Sequence, residues 1–159
     1  MLEERVKMST VNCYLSLGSN LGDRHSLLLL AIDLLARRVG RLVRASSIIE
    51  TEPWGYDSPH SYLNAVVLLQ TTLTPQQLLS TTQTIERELG RQQKTPANSG
   101  DTLPPYSDRP IDIDILLYGD LQLSTPDLII PHPRMHQRDF VMRPLREIGC
   151  DITPSIQRL

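Results

Sequence analysis

Two carboxylates set one residue apart, Asp112 and Asp114, stand in the run Ile111-Asp112-Ile113-Asp114-Ile115. In an extended strand, alternate side chains share a face. Both carboxylates then lie on one face, roughly 7 Å apart by the rise of a strand. Ile111, Ile113, Ile115 and Leu117 take the other face and belong to a core. Like charges this close repel unless a cation joins them. Magnesium carried by ATP meets that need, being a hard cation held by a few carboxylates plus phosphate oxygens. Asp-x-Asp alone is a weak motif, because a solvated strand edge reads the same way. The neighbouring cations add weight. Arg109 precedes the strand by one proline, and Arg91 and Lys94 begin the stretch before it. Arg134, Arg138 and Arg143 follow, near His132 and His136. Guanidinium forks match phosphate oxygens bidentately, so phosphoryl transfer from MgATP is the chemistry expected of this set.

Other residues suggest a second ligand. Tyr62 and Asn64 share a strand face with Val66 and Leu68. An aromatic ring beside an amide suits a flat heterocycle, through stacking and paired hydrogen bonds. Alone, the pair is also what an ordinary strand end looks like. Gln83 and Glu86 lie three apart at the flank of a helical stripe, either as a surface pair or facing the sheet edge. Pro131-His132-Pro133-Arg134-Met135 holds a titratable ring in a rigid segment, where it serves as a phosphate donor or as a solvated loop residue. No Walker A pattern or Rossmann glycine fingerprint is present, so side chains and a loop must hold the nucleotide.

The elements that position these residues follow from periodicity. Asn12 to Gly18 alternates as a strand, with Cys13, Leu15 and Leu17 inward. Asp23 is placed to cap a helix whose stripe is Leu28, Ile32, Leu35 and Val39, ending at Gly40. Leu42 to Thr51 reads as one strand and Glu52 to Ser61 as a loop. Tyr62 to Thr71 is a strand. Thr74 and Pro75 open a second helix with the stripe Leu78, Thr82, Ile85 and Leu89, closed by Gly90. Arg91 to Pro110 lacks periodicity and is expected to be a lid or binding loop. Ile111 to Leu117 is a strand, followed by a turn at Tyr118-Gly119-Asp120. The βαββαβ order predicts a ferredoxin-like α+β sandwich with extra C-terminal short strands and helices. Both long helices are expected on one sheet face, leaving the other uncovered for ligand.

Composition narrows the class. The chain has 159 residues, with 40% hydrophobic and 21% charged. That length suits one domain with a real core. Residues 1–10 are expected to be a flexible extension, with Met8 an alternative start, and residues 11–159 a single domain. Met1 to Thr10 carries no apolar stretch of signal-peptide type, and no run is long enough to span a bilayer. The net charge of −2 gives no broad attraction for nucleic acid or an anionic membrane. Cys13 and Cys150 suggest neither a disulfide framework nor a zinc site. A cytoplasmic monomer acting on small molecules is expected.

Several segments, in order and spacing, carry a resemblance. They are Leu17-Gly18-Ser19-Asn20-Leu21-Gly22, then Tyr62-Leu63-Asn64-Ala65, then Ile85-Glu86 to Gly90-Arg91. Arg109 to Leu116 follows, and Pro131 to Met135 with Arg138 and Phe140 completes the set. From about Asn12 to Ile148 the chain resembles the 6-hydroxymethyl-7,8-dihydropterin pyrophosphokinase family of folate biosynthesis. The resemblance implies transfer of pyrophosphate from ATP to a dihydropterin hydroxymethyl group, with release of AMP. It implies that Asp112 and Asp114 hold two magnesium ions, and that Arg91 and Arg109 are catalytic. It implies ATP contacts from Gln83, Glu86, Arg91, Lys94, Arg109, Ile113, His132 and Arg138. On the pterin side it implies Thr51, Pro53, Trp54, Gly55, Tyr62, Asn64 and Phe140. The chain departs from the family pattern at Gln93, where many members have a second arginine, and at Tyr106-Ser107-Asp108, where many have Trp-Gly-Pro.

Three other readings compete. An ATP γ-phosphate kinase acting on a small alcohol would leave ADP in place of AMP. A ferredoxin-like RNA-binding module needs exposed strand aromatics and a basic face. This slightly acidic chain has one Phe and one Trp. A metal-binding regulator would lack turnover.

Overall fold

The computed structural model describes residues 9–52, 60–90 and 110–149. Strand β1 (Val11–Ser19) leads into helix α1 (Arg24–Arg38), then β2 (Gly40–Ala45) and β3 (Ile49–Thr51). Strand β4 (Tyr62–Thr71), helix α2 (Pro75–Glu88) and strand β5 (Asp112–Tyr118) follow. The tail holds a small hairpin, β6 (Leu123–Ser124) and β7 (Ile129–Ile130), a 3-10 turn (Met135–Gln137) and helix α3 (Asp139–Glu147). The main sheet runs β2-β4-β1-β5, with β3 also paired to β4. Every recorded pairing is antiparallel, which is the ferredoxin-like arrangement expected from the element order.

Both long helices begin as the sequence predicts. Ser26 donates from its backbone N–H and its hydroxyl to the Asp23 carboxylate, at 3.3 and 2.9 Å. Thr74 and Gln77 exchange side-chain and backbone bonds as a capping box, with Pro75 at the first position. These bonds satisfy amides that have no partner within the helix. Helix α1 turns Leu28, Ala31 and Leu35 inward. Ala31, rather than the expected Ile32, is the fully buried residue at its centre, and Ile32 packs at the margin. Helix α2 buries Leu78, Thr82, Ile85 and Glu86. These helices and the inward side chains Cys13, Leu15, Leu17, Val67, Leu69, Ile113 and Ile115 form the larger core. Burial pushes the Cys13 thiol up to about 12, so at neutral pH it is a core group rather than a nucleophile.

The expected strand from Leu42 to Thr51 is two strands. Between them, Ser46 donates its N–H to the Val66 carbonyl and accepts the Val66 N–H on its hydroxyl, each at 2.9 Å. Ser47 bonds the Glu147 carboxylate through both its N–H and its hydroxyl, at 2.9 and 2.6 Å. Serine side chains offer the backbone an alternative to the ladder, and here they break the strand while keeping both pieces on β4.

The second sheet face is not uncovered over its whole length. Helix α3 lays Val141, Met142 and Leu145 on Val66, Leu68 and Leu116, making a second core with Met135 and Ile148. Its amphipathic packing overrides Pro144 inside the helix, which removes one backbone donor. The end of that face beyond α3 carries Gly18, Tyr62, Asn64, Asp112 and Asp114.

Candidate active site

The register of three strands assembles the site. Gly18 of β1 pairs with Asn64 of β4 on one side and with Asp112 of β5 on the other. One step along, Ser16 pairs with Val66 and with Asp114. At the usual strand spacing, Asn64 and Asp112 lie about 10 Å apart across the row. The centre of the row has to be small. A Cβ on Gly18 would meet Asn64 Oδ1 at 3.1 Å and the Tyr62 ring at 3.3 Å. Gly18 therefore keeps the floor low between an amide on one side and a carboxylate on the other. The sequence motif around Gly18 was visible, but its role depends on a register that no local pattern specifies.

The amide side is tightly ordered. Asn64 is buried, and its Nδ2 donates to Thr51 Oγ1 at 2.5 Å. Thr51 pairs with Tyr62, and Ile49 with Asn64, in the β3–β4 ladder. Three of the expected pterin-side residues, Thr51, Tyr62 and Asn64, thus stand together. Pro53, Trp54 and Gly55 lie outside the described residues.

The carboxylate side is built around β5, an edge strand of the main sheet. Asp112 and Asp114 are both partly exposed, as the alternation predicts, while Ile113 and Ile115 are buried. The guanidinium of Arg138 lies 3.8 Å from Asp114 Oδ2. It also stands 5.8 Å above the Phe140 ring, within cation–π range. A cation from the chain itself thus already stands beside the pair. Among the described residues no cluster of three or more His, Cys, Asp or Glu side chains occurs. Two partly exposed carboxylates suit magnesium, which keeps waters and substrate phosphates as its other ligands. The pair fits that ion.

Glu86 is not the surface residue that its place on the helix allowed. It is 2% exposed, and its Oε2 accepts the backbone N–H of Ile113 at 2.7 Å. This bond takes up a backbone donor at the sheet edge, at the residue between the two aspartates. Glu86→Ala would leave a buried N–H unmet, costing about 1–3 kcal/mol. It should also loosen the aspartate pair. Glu86→Gln keeps an acceptor and is expected to recover most of the stability. Thermal denaturation of both variants, with turnover measured alongside, checks this. Equal melting temperatures for Glu86→Ala and the parent would contradict the brace. Gln83, three residues earlier, is partly buried on the same helix.

His132 is tied to β5 through its backbone N–H, which donates to the Leu116 carbonyl at 3.0 Å. Its Nδ1 accepts the Arg134 N–H at 3.2 Å, so a neutral ring carries its proton on Nε2 and can donate there. Of the tail arginines grouped by sequence, Arg138 reaches the carboxylate pair. Arg134 is exposed, and Arg143 is exposed beside Asp139 on the surface of α3. Arg91, Lys94 and Arg109, with the whole expected lid from 92 to 108, lie outside the described residues.

With this geometry in place, comparison with known proteins decides the family. Residues 14–150 match the family described as 7,8-dihydro-6-hydroxymethylpterin-pyrophosphokinase. The chain belongs to this family. A pyrophosphokinase relative from Porphyromonas gingivalis, named 2-amino-4-hydroxy-6-hydroxymethyldihydropteridine pyrophosphokinase, is 58% identical over 143 residues, covering 89% of this chain and 93% of the relative. One of the same name from Bacillus subtilis is 43% identical, covering 85% of this chain and 76% of the relative. Among solved structures, an HPPK-DHPS in complex with substrates superposes with a TM-score of 0.69 at 13% identity. It covers 89% of this chain, which spans 40% of that longer one. A Plasmodium falciparum HPPK-DHPS with pteroate gives 0.64 at 15% identity, over 87% of this chain and 39% of that one. At these identities the structures speak for the fold, and the pyrophosphokinase sequences for the family.

Proposed function

We propose that this protein transfers the β,γ-pyrophosphoryl group of ATP to the hydroxymethyl oxygen of 6-hydroxymethyl-7,8-dihydropterin, giving AMP and the pterin diphosphate. The observation that carries the reading is the ladder row Asn64–Gly18–Asp112. It sets the Asn64 amide and the Asp112 carboxylate on one face, about 10 Å apart, a spacing that supports a heterocycle beside a phosphate. Family membership supports the same reaction.

In this reading the pterin lies over Gly18. Asn64 and Thr51 meet its polar edge, and Tyr62 and Phe140 contact its ring. ATP lies toward β5 and α2, near Gln83, Glu86, Ile113, His132 and Arg138. The pterin oxygen attacks the β-phosphorus in line. The new O–Pβ bond forms as the bond from Pβ to the oxygen bridging to Pα breaks, that electron pair leaves with AMP, and the hydroxyl proton is released to water. Such transfers depend on positioning and on neutralising phosphate charge. Asp112 and Asp114 would hold two magnesium ions, which when bound supply Lewis-acid neutralisation of the phosphate oxygens. His132 contributes an Nε2–H donor, and Arg138 a fork beside Asp114. Arg91 and Arg109 as catalytic residues, Lys94 on the phosphates, and Pro53, Trp54 and Gly55 on the pterin belong to the same proposal through their sequence positions. A monomer working in the cytoplasm completes it. Among the described residues no helix is long and apolar enough to cross a membrane. The identity of the nucleotide product tests the reading, since pyrophosphoryl transfer leaves AMP.

A further inference from the structure

Away from the reacting groups, the link between β1 and α1 grips the chain at the edge of the pterin side. Arg24 is the first residue of α1. Its Nη1 donates to the Ser61 carbonyl at 2.9 Å and contacts Ser61 Oγ at 3.1 Å and Glu50 Oε2 at 3.2 Å. Ser61 Oγ in turn donates to the same Glu50 oxygen at 2.6 Å. The Ser61 hydroxyl first, and Arg24 second, hold the Glu50 carboxyl below its usual range. One turn earlier, the buried Asn20 donates from Nδ2 to the His60 carbonyl at 3.2 Å. A cavity of about 400 Å³ lies among Asn20, Leu21, Gly22, Arg24, His60 and Ser61.

The placement of these contacts is informative. Glu50 immediately precedes Thr51, and Ser61 immediately precedes Tyr62. Thr51 and Tyr62 are ladder partners. Strand β3 has only three residues, too few for its ladder to be firm alone. A guanidinium fork can bind several acceptors at once. Arg24 uses one nitrogen on both Glu50 and Ser61, tying β3 and the start of β4 to the first turn of α1. The Thr51 hydroxyl that accepts from Asn64 is one residue from this tie.

We infer that Arg24, with Glu50 and Ser61, is a positioning residue that holds Thr51 and Tyr62 in the geometry selecting the pterin, without touching either substrate. The inference rests on the reading of Thr51, Tyr62 and Asn64 as the pterin side. It assigns to the Arg24 network an effect on pterin recognition and none on the nucleotide.

The test compares Arg24→Ala, Arg24→Lys, Glu50→Gln and Asn64→Ala. For each, KM is measured for the dihydropterin and for MgATP, with kcat and the melting temperature. Arg24→Ala is expected to raise the pterin KM about tenfold, while the MgATP KM and kcat stay within about twofold. Arg24→Lys keeps the charge and one donor and should recover part of the loss. Glu50→Gln, which leaves the Arg24–Ser61 bonds in place, should show a smaller shift of the same kind and serves if Arg24→Ala does not fold. A lower melting temperature with an unchanged ratio of the two KM values would overturn the inference and leave Arg24 a purely structural residue. An unchanged pterin KM in Asn64→Ala would overturn the pocket reading and this inference with it. A raised pterin KM in Asn64→Ala beside unchanged ratios in Arg24→Ala and Glu50→Gln would overturn this inference alone.

Discussion

Asp112→Ala and Asp114→Ala are each expected to lower turnover by roughly three orders of magnitude while the protein stays folded. The size follows from the metal charge that, on the proposed reading, these carboxylates organise. Metal neutralisation of a phosphoryl transition state is worth several kcal/mol, and each 1.36 kcal/mol is tenfold in rate. The survival of the fold follows from position. Both side chains are partly exposed on the face opposite the large core, so truncation opens no cavity there. Removing one of two neighbouring like charges also relieves repulsion. The melting temperature of Asp112→Ala should therefore stay close to that of the parent. Asp114→Ala is expected to melt somewhat lower, since it takes a carboxylate away from the largely buried Arg138 guanidinium. Single-turnover rates at saturating magnesium, with thermal scans, check the pair. Activity near that of the parent in either variant would remove these residues from the metal.

Asn64→Ala is expected to weaken dihydropterin binding about 10- to 100-fold and to leave MgATP binding within about twofold. On the proposed reading Asn64 is a buried amide that pairs with the pterin, and such a group cannot be truncated cheaply. The ligand's polar edge is then left unmet, at about 1–3 kcal/mol, and every 1.4 kcal/mol is tenfold in affinity. The nucleotide is spared because Asn64 lies on β4, two strands away from Asp112 with Gly18 between them. Titration calorimetry with each ligand separates the effects. Equal losses for both would show that Asn64 shapes the whole face rather than one pocket.

Strands with strict alternation and helices with local caps were legible in the sequence, because one residue and its near neighbours determine them. Cys13, Leu15 and Leu17 point inward as their spacing dictates, and Asp23 and Thr74 cap as their residue types allow. The aspartate pair was legible for the same reason. What depends on register was not. Glu86 sits beside a helical apolar stripe, where a charge usually means solvent. Only the packing of α2 against the edge of β5 makes it a buried acceptor for Ile113. The close approach at Gly18 showed only once Asn64 and Asp112 were found on either side of it. The cover that α3 lays on part of the second sheet face was hidden by Pro144 and by the shortness of the tail elements. The break at Ser46 and Ser47 turns on hydroxyl bonds to Val66 and Glu147, partners 20 and 100 residues away. The Arg24–Glu50–Ser61 network likewise joins residues 26 and 37 positions apart, a distance over which sequence spacing carries no signal.

In the proposed reaction a dihydropterin alcohol attacks the β-phosphorus of ATP. Incubating the protein with magnesium, ATP and 6-hydroxymethyl-7,8-dihydropterin, then separating the nucleotides, reports on that step. The expected result is one AMP formed for each pterin diphosphate, with no AMP when the pterin is omitted. ADP with a pterin monophosphate would contradict the account and make the protein a γ-phosphate kinase. No nucleotide turnover from folded protein would contradict it too, reducing the aspartate pair to a binding site without catalysis.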